Sequence, residues 1–91
     1  MTSADRVDVF RGMAHPLRRR VIAKLAEGET SVTDLLVMLK VSQQSLSRHL
    51  AVLRETGLVS ARLRSPHRFY RLRGGTLERA RTWINGVGGA A

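Results

Sequence analysis

With 91 residues, the chain is long enough for one small domain, and we expect residues 1–91 to form it, with a frayed tail over about 86–91. The absence of cysteine excludes disulfides, thiolate metal sites and thiol redox switches, and no apolar run is long enough to cross a bilayer, so we expect a cytoplasmic protein without membrane contact. A net charge of +9, from 16 Lys plus Arg against 7 acidic residues, favours an anionic partner such as nucleic acid.

A proline separates the first two predicted helices. Ser3 can cap a helix over about residues 4–14, in which apolar side chains recur along one stripe. Pro16 disfavours the helical conformation in the residue before it and suits the first position of a helix. A second helix is therefore expected over about 16–27, and Gly28 would end it.

A helix-turn-helix pattern follows. Ser31 and Asp34 have the spacing of a capping box and open a short helix. Only Lys40 and Val41 separate this helix from Ser42, which can cap a further helix over about 43–55. In a helix-turn-helix, the second helix enters the DNA major groove and the first crosses the backbone. The sequence therefore predicts a recognition helix at 43–55.

The predicted recognition helix has an apolar face and a polar face. Leu46, Leu50 and Leu53 recur at helical spacing and are expected to face the core. Gln can pair with adenine and Arg with guanine, so Gln44 and Arg48 are the strongest candidates for reading bases, and the alternative is an ordinary solvated helix face. The candidate DNA contacts at the polar N-terminal half are Ser42, Gln43, Gln44, Ser45, Ser47 and Arg48.

From Val59 the pattern changes to a period of two, which predicts a β-hairpin that turns at Ser65-Pro66-His67. From residue 60 to residue 73 inclusive there are five arginines and no acidic residue, so this wing is a concentrated positive surface. The charges could contact phosphates, or they could keep neighbouring chains from pairing with a strand edge. The candidate DNA contacts of the wing are Arg62, Arg64, His67 and Arg68.

A last helix is expected after Gly74-Gly75, with Thr76 as its cap. The order of elements is then α-α-α-α-β-β-α. This is a mainly α domain with a small β-hairpin, and it corresponds to a winged helix-turn-helix.

Two segments carry recognisable motifs. Residues 11–18 contain a helix junction around His-Pro-Leu-Arg, and residues 42–59 have the pattern Ser-Gln-x-x-x-Ser-x-His-Leu-x-x-Leu-x-x-x-Gly-Leu-Val. They resemble the ArsR/SmtB family of bacterial winged helix-turn-helix repressors, and the likeness extends over about residues 10–72. This resemblance implies a homodimer that packs its first and last helices together, binds palindromes in double-stranded DNA and releases them when an effector binds. The residues implied at the dimer interface are Val7, Phe10, Met13, Leu77, Ala80, Trp83 and Ile84.

The metal sites common in this family have no counterpart in the motifs. Many metal-sensing members carry a Cys-x-Cys-Asp-Leu motif, and Ser31 and Thr33 stand at the two cysteine positions. Hydroxyls are poor ligands for soft metals, and the predicted last helix holds only Glu78 as a potential ligand. We therefore expect no metal and no cofactor. The alternative ligands, for a divalent ion shared between subunits, are Asp5, Asp8 and His15.

The histidines are interpreted as structural residues. His49 is expected on the inward side of the recognition helix with a bond to backbone, and His15 is expected to cap or pack at the helix junction. No acidic residue is placed to orient a histidine base and no glycine-rich phosphate loop occurs, so the sequence does not predict an enzyme. Two other functions remain open. One is a sensor with a metal or small molecule at the dimer seam, and the other is a winged helix that holds another protein.

Overall fold

The computed structural model describes residues 9–89, with side chains as far as residue 87. Residues 9–13 are helical (α1), and α2 (Pro16–Leu25), β1 (Thr30–Ser31), α3 (Val32–Leu39) and α4 (Gln43–Glu55) follow. The strands β2 (Val59–Arg64) and β3 (His67–Leu72) precede the helix α5 (Gly74–Gly89). Within residues 9–89, no helix is both long enough and apolar enough to span a membrane.

The break between α1 and α2 falls at Ala14 and His15, as the position of Pro16 predicts. His15 caps α2, because its Nδ1 accepts a hydrogen bond from the backbone N–H of Leu17 at 3.0 Å. The cap interpretation of His15 is therefore confirmed. The predicted cap Ser3 and the predicted helical residues 4–8 lie outside the described part of the chain.

Both helices of the helix-turn-helix begin at the predicted serines. The Ser31 hydroxyl accepts the N–H of Asp34 at 3.1 Å, and the Ser42 hydroxyl accepts the N–H of Ser45 at 3.1 Å. Such caps satisfy backbone donors that have no partner within the helix. Lys40 ends α3 in the left-handed conformation (φ 55°), so the chain reverses within a few residues and α4 spans the predicted 43–55.

The β structure is a three-stranded antiparallel sheet in the order β1-β3-β2, whereas the sequence predicted a two-stranded hairpin. In the additional pairing, Thr30 lies opposite Tyr70 and Ser31 lies opposite Phe69. Ser31 has extended backbone angles (φ −76°, ψ 156°), as a helix cap requires, and this conformation also suits a strand. A strand of two residues is too short to produce an alternating pattern, so only its partner strand makes it detectable.

The helix α5 begins at Gly74, two residues before the predicted cap Thr76. The N–H of Thr76 donates to the carbonyl of Arg73 at 3.1 Å, and the Thr76 hydroxyl accepts from Arg79 at 3.4 Å instead of capping the helix. The helix also continues to Gly89, through residues 86–89 where a frayed tail was expected.

The core lies between α2, α3, α4 and the inner face of the sheet. Its fully buried side chains include Val21, Leu35 and Leu58, together with the predicted inward leucines Leu46 and Leu53 of α4. One core cluster therefore joins α4 to the base of the wing. The polar face of α4 is consequently presented outward.

Candidate nucleic-acid interface

The outer face of α4 is polar and open to solvent. Gln43, Gln44, Ser47 and Arg48 are exposed and line one open groove of about 600 Å³, whereas Ser45 is half-buried. Ser42 is exposed, but its hydroxyl is engaged as the helix cap. Amide and guanidinium groups on an exposed helix face can bond to base edges, which gives this face the chemistry that major-groove recognition requires.

The wing forms a regular antiparallel pair, with Arg64 opposite His67 next to the turn. Strand residues alternate between faces, so Arg62, Arg64 and His67 share the outer face of the sheet, and Arg68 lies on the other face with the buried Tyr70. The hairpin is predicted correctly, although the turn comprises Ser65 and Pro66 and His67 already belongs to β3.

The tip of the wing and the start of the recognition helix border the same groove, of about 310 Å³. Gln43 and Ser47 of α4 line it together with His67 and Arg68 of the wing, although 20 or more residues separate the two pairs. Thr33 of α3 also lines it and was not identified as a contact from the sequence. The fold therefore brings donors from α3, α4 and the wing to one concave surface.

The arginines of the wing differ in their electrostatic partners. The Nη2 atom of Arg62 lies 2.6 Å from Oε1 of Glu29, just before β1. Arg64, Arg68 and the recognition residue Arg48 are exposed, and no ion pair links them to a carboxylate of residues 9–89. These three side chains keep their full charge for an anionic partner, whereas part of the charge of Arg62 is neutralised within the domain.

A cluster of basic groups lies behind the recognition helix. The Nη1 atom of Arg18 is 3.1 Å from Nδ1 of His49, and the rings of His15 and His49 have centroids 4.3 Å apart. Burial lowers the pKa of His49 below its usual 6.5, and the positive charges of His15, Arg18 and Arg48 lower it further. The prediction of a half-buried His49 is confirmed, but its partner is the side chain of Arg18 and not backbone.

The predicted dimer residues occupy different environments within one copy of the chain. The rings of Phe10 and Trp83 pack at 5.3 Å between centroids, which joins α1 to α5. Ala80 is only 3 % exposed, so it already belongs to the core of its own chain. Ile84, by contrast, is 48 % exposed. Met13 and Leu77 are half-buried against the core, and Val7 lies outside the described residues.

The residues considered as metal ligands are not assembled in the described part of the chain. Asp5 and Asp8 lie outside it, and the Nδ1 of His15 is engaged as a helix cap. Residues 9–89 contain no group of three or more His, Asp or Glu side chains arranged to hold a metal ion. Ser31, at one of the positions compared with a metal-binding cysteine, caps α3 through its hydroxyl.

A helix-turn-helix followed by a β-hairpin whose tip lies beside the second helix defines a winged helix-turn-helix domain. The family profile described as bacterial regulatory protein, arsR family, matches residues 15–61, just over half of the chain. The chain belongs to this family, and the resemblance predicted from the sequence is confirmed. Membership assigns it to the bacterial regulatory proteins.

Two curated relatives of the chain are named as transcriptional regulators or repressors. The chain is 42 % identical over 64 residues to the biofilm growth-associated repressor of Agrobacterium fabrum, with 70 % of this chain and 55 % of that protein covered. It is 40 % identical over 70 residues to the transcriptional activator HlyU of Vibrio cholerae, with 77 % and 65 % covered. The aligned region thus spans little more than half the length of the first relative.

Solved structures support the winged-helix fold. HlyU from Vibrio cholerae matches with a TM-score of 0.79 and 33 % identity, over 93 % of this chain and 92 % of that one. An ArsR family transcriptional regulator matches with a TM-score of 0.89 over 99 % and 93 % of the two chains, but at 18 % identity this likeness concerns the fold alone.

Proposed function

We propose that the protein is a transcriptional repressor that binds double-stranded DNA as a homodimer. The observation that carries this proposal is the shared groove between the start of α4 and the wing tip, bordered by Gln43, Ser47, His67 and Arg68. In this arrangement α4 occupies a major groove while the wing contacts the adjacent backbone.

Base reading is assigned to the exposed face of α4. Gln44 and Arg48 are exposed one helical turn apart, so both reach the floor of a major groove when the helix is inserted. Gln43 and Ser47 line both the open groove on α4 and the groove that α4 shares with the wing tip. This position suits contacts with the edges of base pairs and with the neighbouring DNA backbone. Ser42 and Ser45 act chiefly through the start of the helix, as cap and capped residue.

Phosphate contacts are assigned to the wing. Arg64 and Arg68 have no carboxylate partner within residues 9–89. His67 is exposed and lies opposite Arg64 in the hairpin. Phosphate contacts provide sequence-independent affinity and most of its salt dependence. Arg62 is expected to contribute less, because Glu29 competes for its guanidinium.

The dimer is assigned to the α1 and α5 side of the molecule. Trp83, Ile84 and Val87 expose apolar surface along α5, and Phe10 of α1 packs on Trp83. Exposed apolar surface of this kind marks interaction sites in soluble proteins. A symmetric dimer would present two recognition helices to half-sites about 34 Å apart, and therefore to a palindrome. A dimer bound over a promoter would exclude RNA polymerase, and this is how we propose that the protein represses transcription in the cytoplasm.

A footprint tests the proposal. Purified protein is incubated with DNA upstream of its own gene, with excess competitor DNA at near-physiological salt. We expect a protected site with two-fold symmetry. A parallel selection of bound duplexes from a random-sequence pool removes the dependence on operator location. If neither experiment yields a preferred sequence over competitor, the protein is not a sequence-specific regulator.

A further inference from the structure

The side chain of Arg18, at the start of α2, bonds to two other helical segments at once. Its Nε donates to the carbonyl of Gly12 at 2.9 Å, and its Nη2 donates to the carbonyl of Arg11 at 2.9 Å. The last carbonyls of a helix have no partner within it, and a cation is favourable at that end. Two of the donors of Arg18 therefore hold the end of α1.

The third contact of Arg18 reaches the recognition helix. Its Nη1 lies 3.1 Å from Nδ1 of His49, in the middle of α4. An arginine carries only donors, so His49 must accept at Nδ1 and carry its proton on Nε2. His49 directly follows Arg48, one of the proposed base-reading residues, so a rotation of α4 about this contact would displace Arg48.

Other contacts between α1 and α4 lie nearer the end of α4. Arg11 pairs with Glu55 at 3.4 Å, between exposed side chains, and Gly12 packs against Thr56. Exposed ion pairs contribute little to stability and tolerate movement. Of the contacts described, those that Arg18 and His15 make with His49 lie nearer the reading face, and the contact of Arg18 is the hydrogen-bonded one.

We propose that Arg18 is a positioning residue for DNA recognition, which sets the orientation of α4 by tying His49 to the end of α1. The proposal rests on the proposed function of α4 as the recognition helix. It adds a residue on α2, outside the DNA-contacting surface, that acts on base reading through another side chain. Because α1 is assigned to the dimer seam, the same contact joins that seam to the reading face.

The contact is sensitive to protonation. Protonated His49 would present Nδ1–H to the donors of Arg18, which removes the hydrogen bond and opposes two like charges. The charged groups around it are His15 and Arg18 of the α1–α2 junction, Arg48 on α4, and the Arg11–Glu55 pair between α1 and α4. All of these except Glu55 disfavour a second positive charge, so neutral His49 is the form that maintains the contact near neutral pH.

The test compares specific with nonspecific DNA binding. Wild-type protein and the variants Arg18→Lys, His49→Leu and His49→Gln are titrated with a duplex selected by the wild type from a random pool, and with a scrambled duplex. Arg18→Lys keeps the charge but not the three-way geometry. The matched control is Arg20→Gln, which removes an exposed charge two residues along α2.

We expect Arg18→Lys and His49→Leu to lose about tenfold in affinity for the selected duplex, with little change for the scrambled one. His49→Gln keeps an acceptor and does not titrate, so it should retain affinity near pH 8. The affinity of the wild type relative to His49→Gln should fall as the pH is lowered to about 5. Circular dichroism and thermal unfolding verify that each variant is folded. If Arg18→Lys does not fold, the comparison of His49→Leu with His49→Gln tests the positioning role instead.

Two outcomes have different meanings. Equal losses for selected and scrambled duplexes, or no loss in any of these variants, would overturn the positioning role while leaving the protein a DNA-binding regulator. Failure of the wild type to select any duplex would instead contradict the proposed function itself.

Discussion

Arg62 of the wing and Glu29, which precedes β1, form an ion pair with 2.6 Å between Nη2 and Oε1. In the sheet, Arg62 lies opposite Phe69, which in turn lies opposite Ser31, so the pair spans the three strands. The contact ties the wing to the segment that leads into α3. It also separates Arg62 from the other arginines of the wing, which no acidic group of the described chain neutralises.

The salt dependence of DNA binding should separate the wing arginines. Arg64→Gln and Arg68→Gln are each expected to lower the slope of log affinity against log salt by about 0.9, the value for one lost phosphate contact. Arg62→Gln should change it less, and Glu29→Gln should steepen it by releasing Arg62. The measurement is affinity by fluorescence anisotropy over a range of salt concentrations.

Arg81→Gln is the control for this series, because Arg81 also has a carboxylate partner, Glu78 at 3.7 Å, but lies on α5. Its slope should equal that of the wild type. Unchanged slopes for both Arg64 and Arg68 variants would remove the wing from the DNA interface.

Substitution of the base-reading residues should alter sequence preference and not only affinity. Gln44→Ala and Arg48→Ala are each expected to remove about 1 to 3 kcal/mol of discrimination at particular base pairs, because a bidentate contact is lost. Competition with duplexes that carry single base-pair changes measures this effect. Arg54→Ala, in the last turn of α4, should leave the preference intact. Uniform weakening by Gln44→Ala and Arg48→Ala would assign both residues to the backbone.

The dimer should depend on the exposed apolar surface of α5. Ile84→Glu places a charge where 48 % of the side chain is exposed, and we expect it to dissociate the dimer because the carboxylate would have to be buried at the seam. Sedimentation equilibrium of the wild type and the variant measures the change. Val37→Glu, on α3 where the side chain is 70 % exposed, is the matched control and should remain dimeric. A monomeric wild type would contradict the proposed assembly.

Gly12 allows the end of α1 to approach the core closely. A Cβ added there would lie 2.7 Å from Cδ1 of Leu58 and 2.8 Å from Oγ1 of Thr56. Leu58 is fully buried, and the Thr56 hydroxyl already donates to the carbonyl of Leu53 at 2.9 Å, so neither can move freely. Although alanine is the better helix former, Gly12→Ala should lower the free energy of unfolding by about 1 to 3 kcal/mol.

Urea denaturation at one protein concentration measures the effect of Gly12→Ala. Gly86→Ala is the control, because a Cβ there meets nothing within 4 Å, and it should raise the stability by about 0.5 to 1 kcal/mol through helix propensity. If Gly12→Ala were as stable as Gly86→Ala, the end of α1 would not be packed tightly against Leu58 and Thr56.

The stability of the protein should depend on pH through His49. Its folded-state pKa is lowered below 6.5, by burial first and then by His15, Arg18 and Arg48, so unfolding takes up a proton between the two pKa values. The contribution of neutral His49 to the free energy of unfolding is therefore fully present above about pH 6.5. It is lost as the pH falls from there through the folded-state pKa. Urea denaturation should show a smaller loss at low pH for His49→Gln than for the wild type. His67→Gln, at the exposed wing tip, should behave as the wild type does.

Much of the fold follows from short-range patterns. The caps Ser31 and Ser42 act on backbone groups three residues away, at 3.1 Å in both cases, so their effect is visible in the sequence. The leucine periodicity of α4 and the alternation of the wing are equally local. The polar face of α4 could be predicted because an apolar stripe on one side of a helix leaves only the other side for a partner.

The features that were missed are long-range. The strand β1 is two residues long and exists through its pairing with β3. The helix α5 begins two residues early, next to Arg73, whose N–H is bonded to the carbonyl of Leu58 and whose carbonyl accepts the N–H of Thr76. The apolar stripe that contains Ala80 could face either a dimer seam or the core of its own chain. Its burial in the folded chain shows that Ala80 lies in the core.

The sequence by itself therefore determined the helix-turn-helix, the bounds of α4, the hairpin and the positive charge of the surface, because caps, periodicity and net charge act within a few residues or over the whole chain. Only the tertiary structure decided which side chains each arginine contacts. Arg18 meets His49 across 31 positions and Arg62 meets Glu29 across 33. Such partners are set by how helices and strands pack, and with so many arginines in the chain no local pattern distinguishes the few that are engaged.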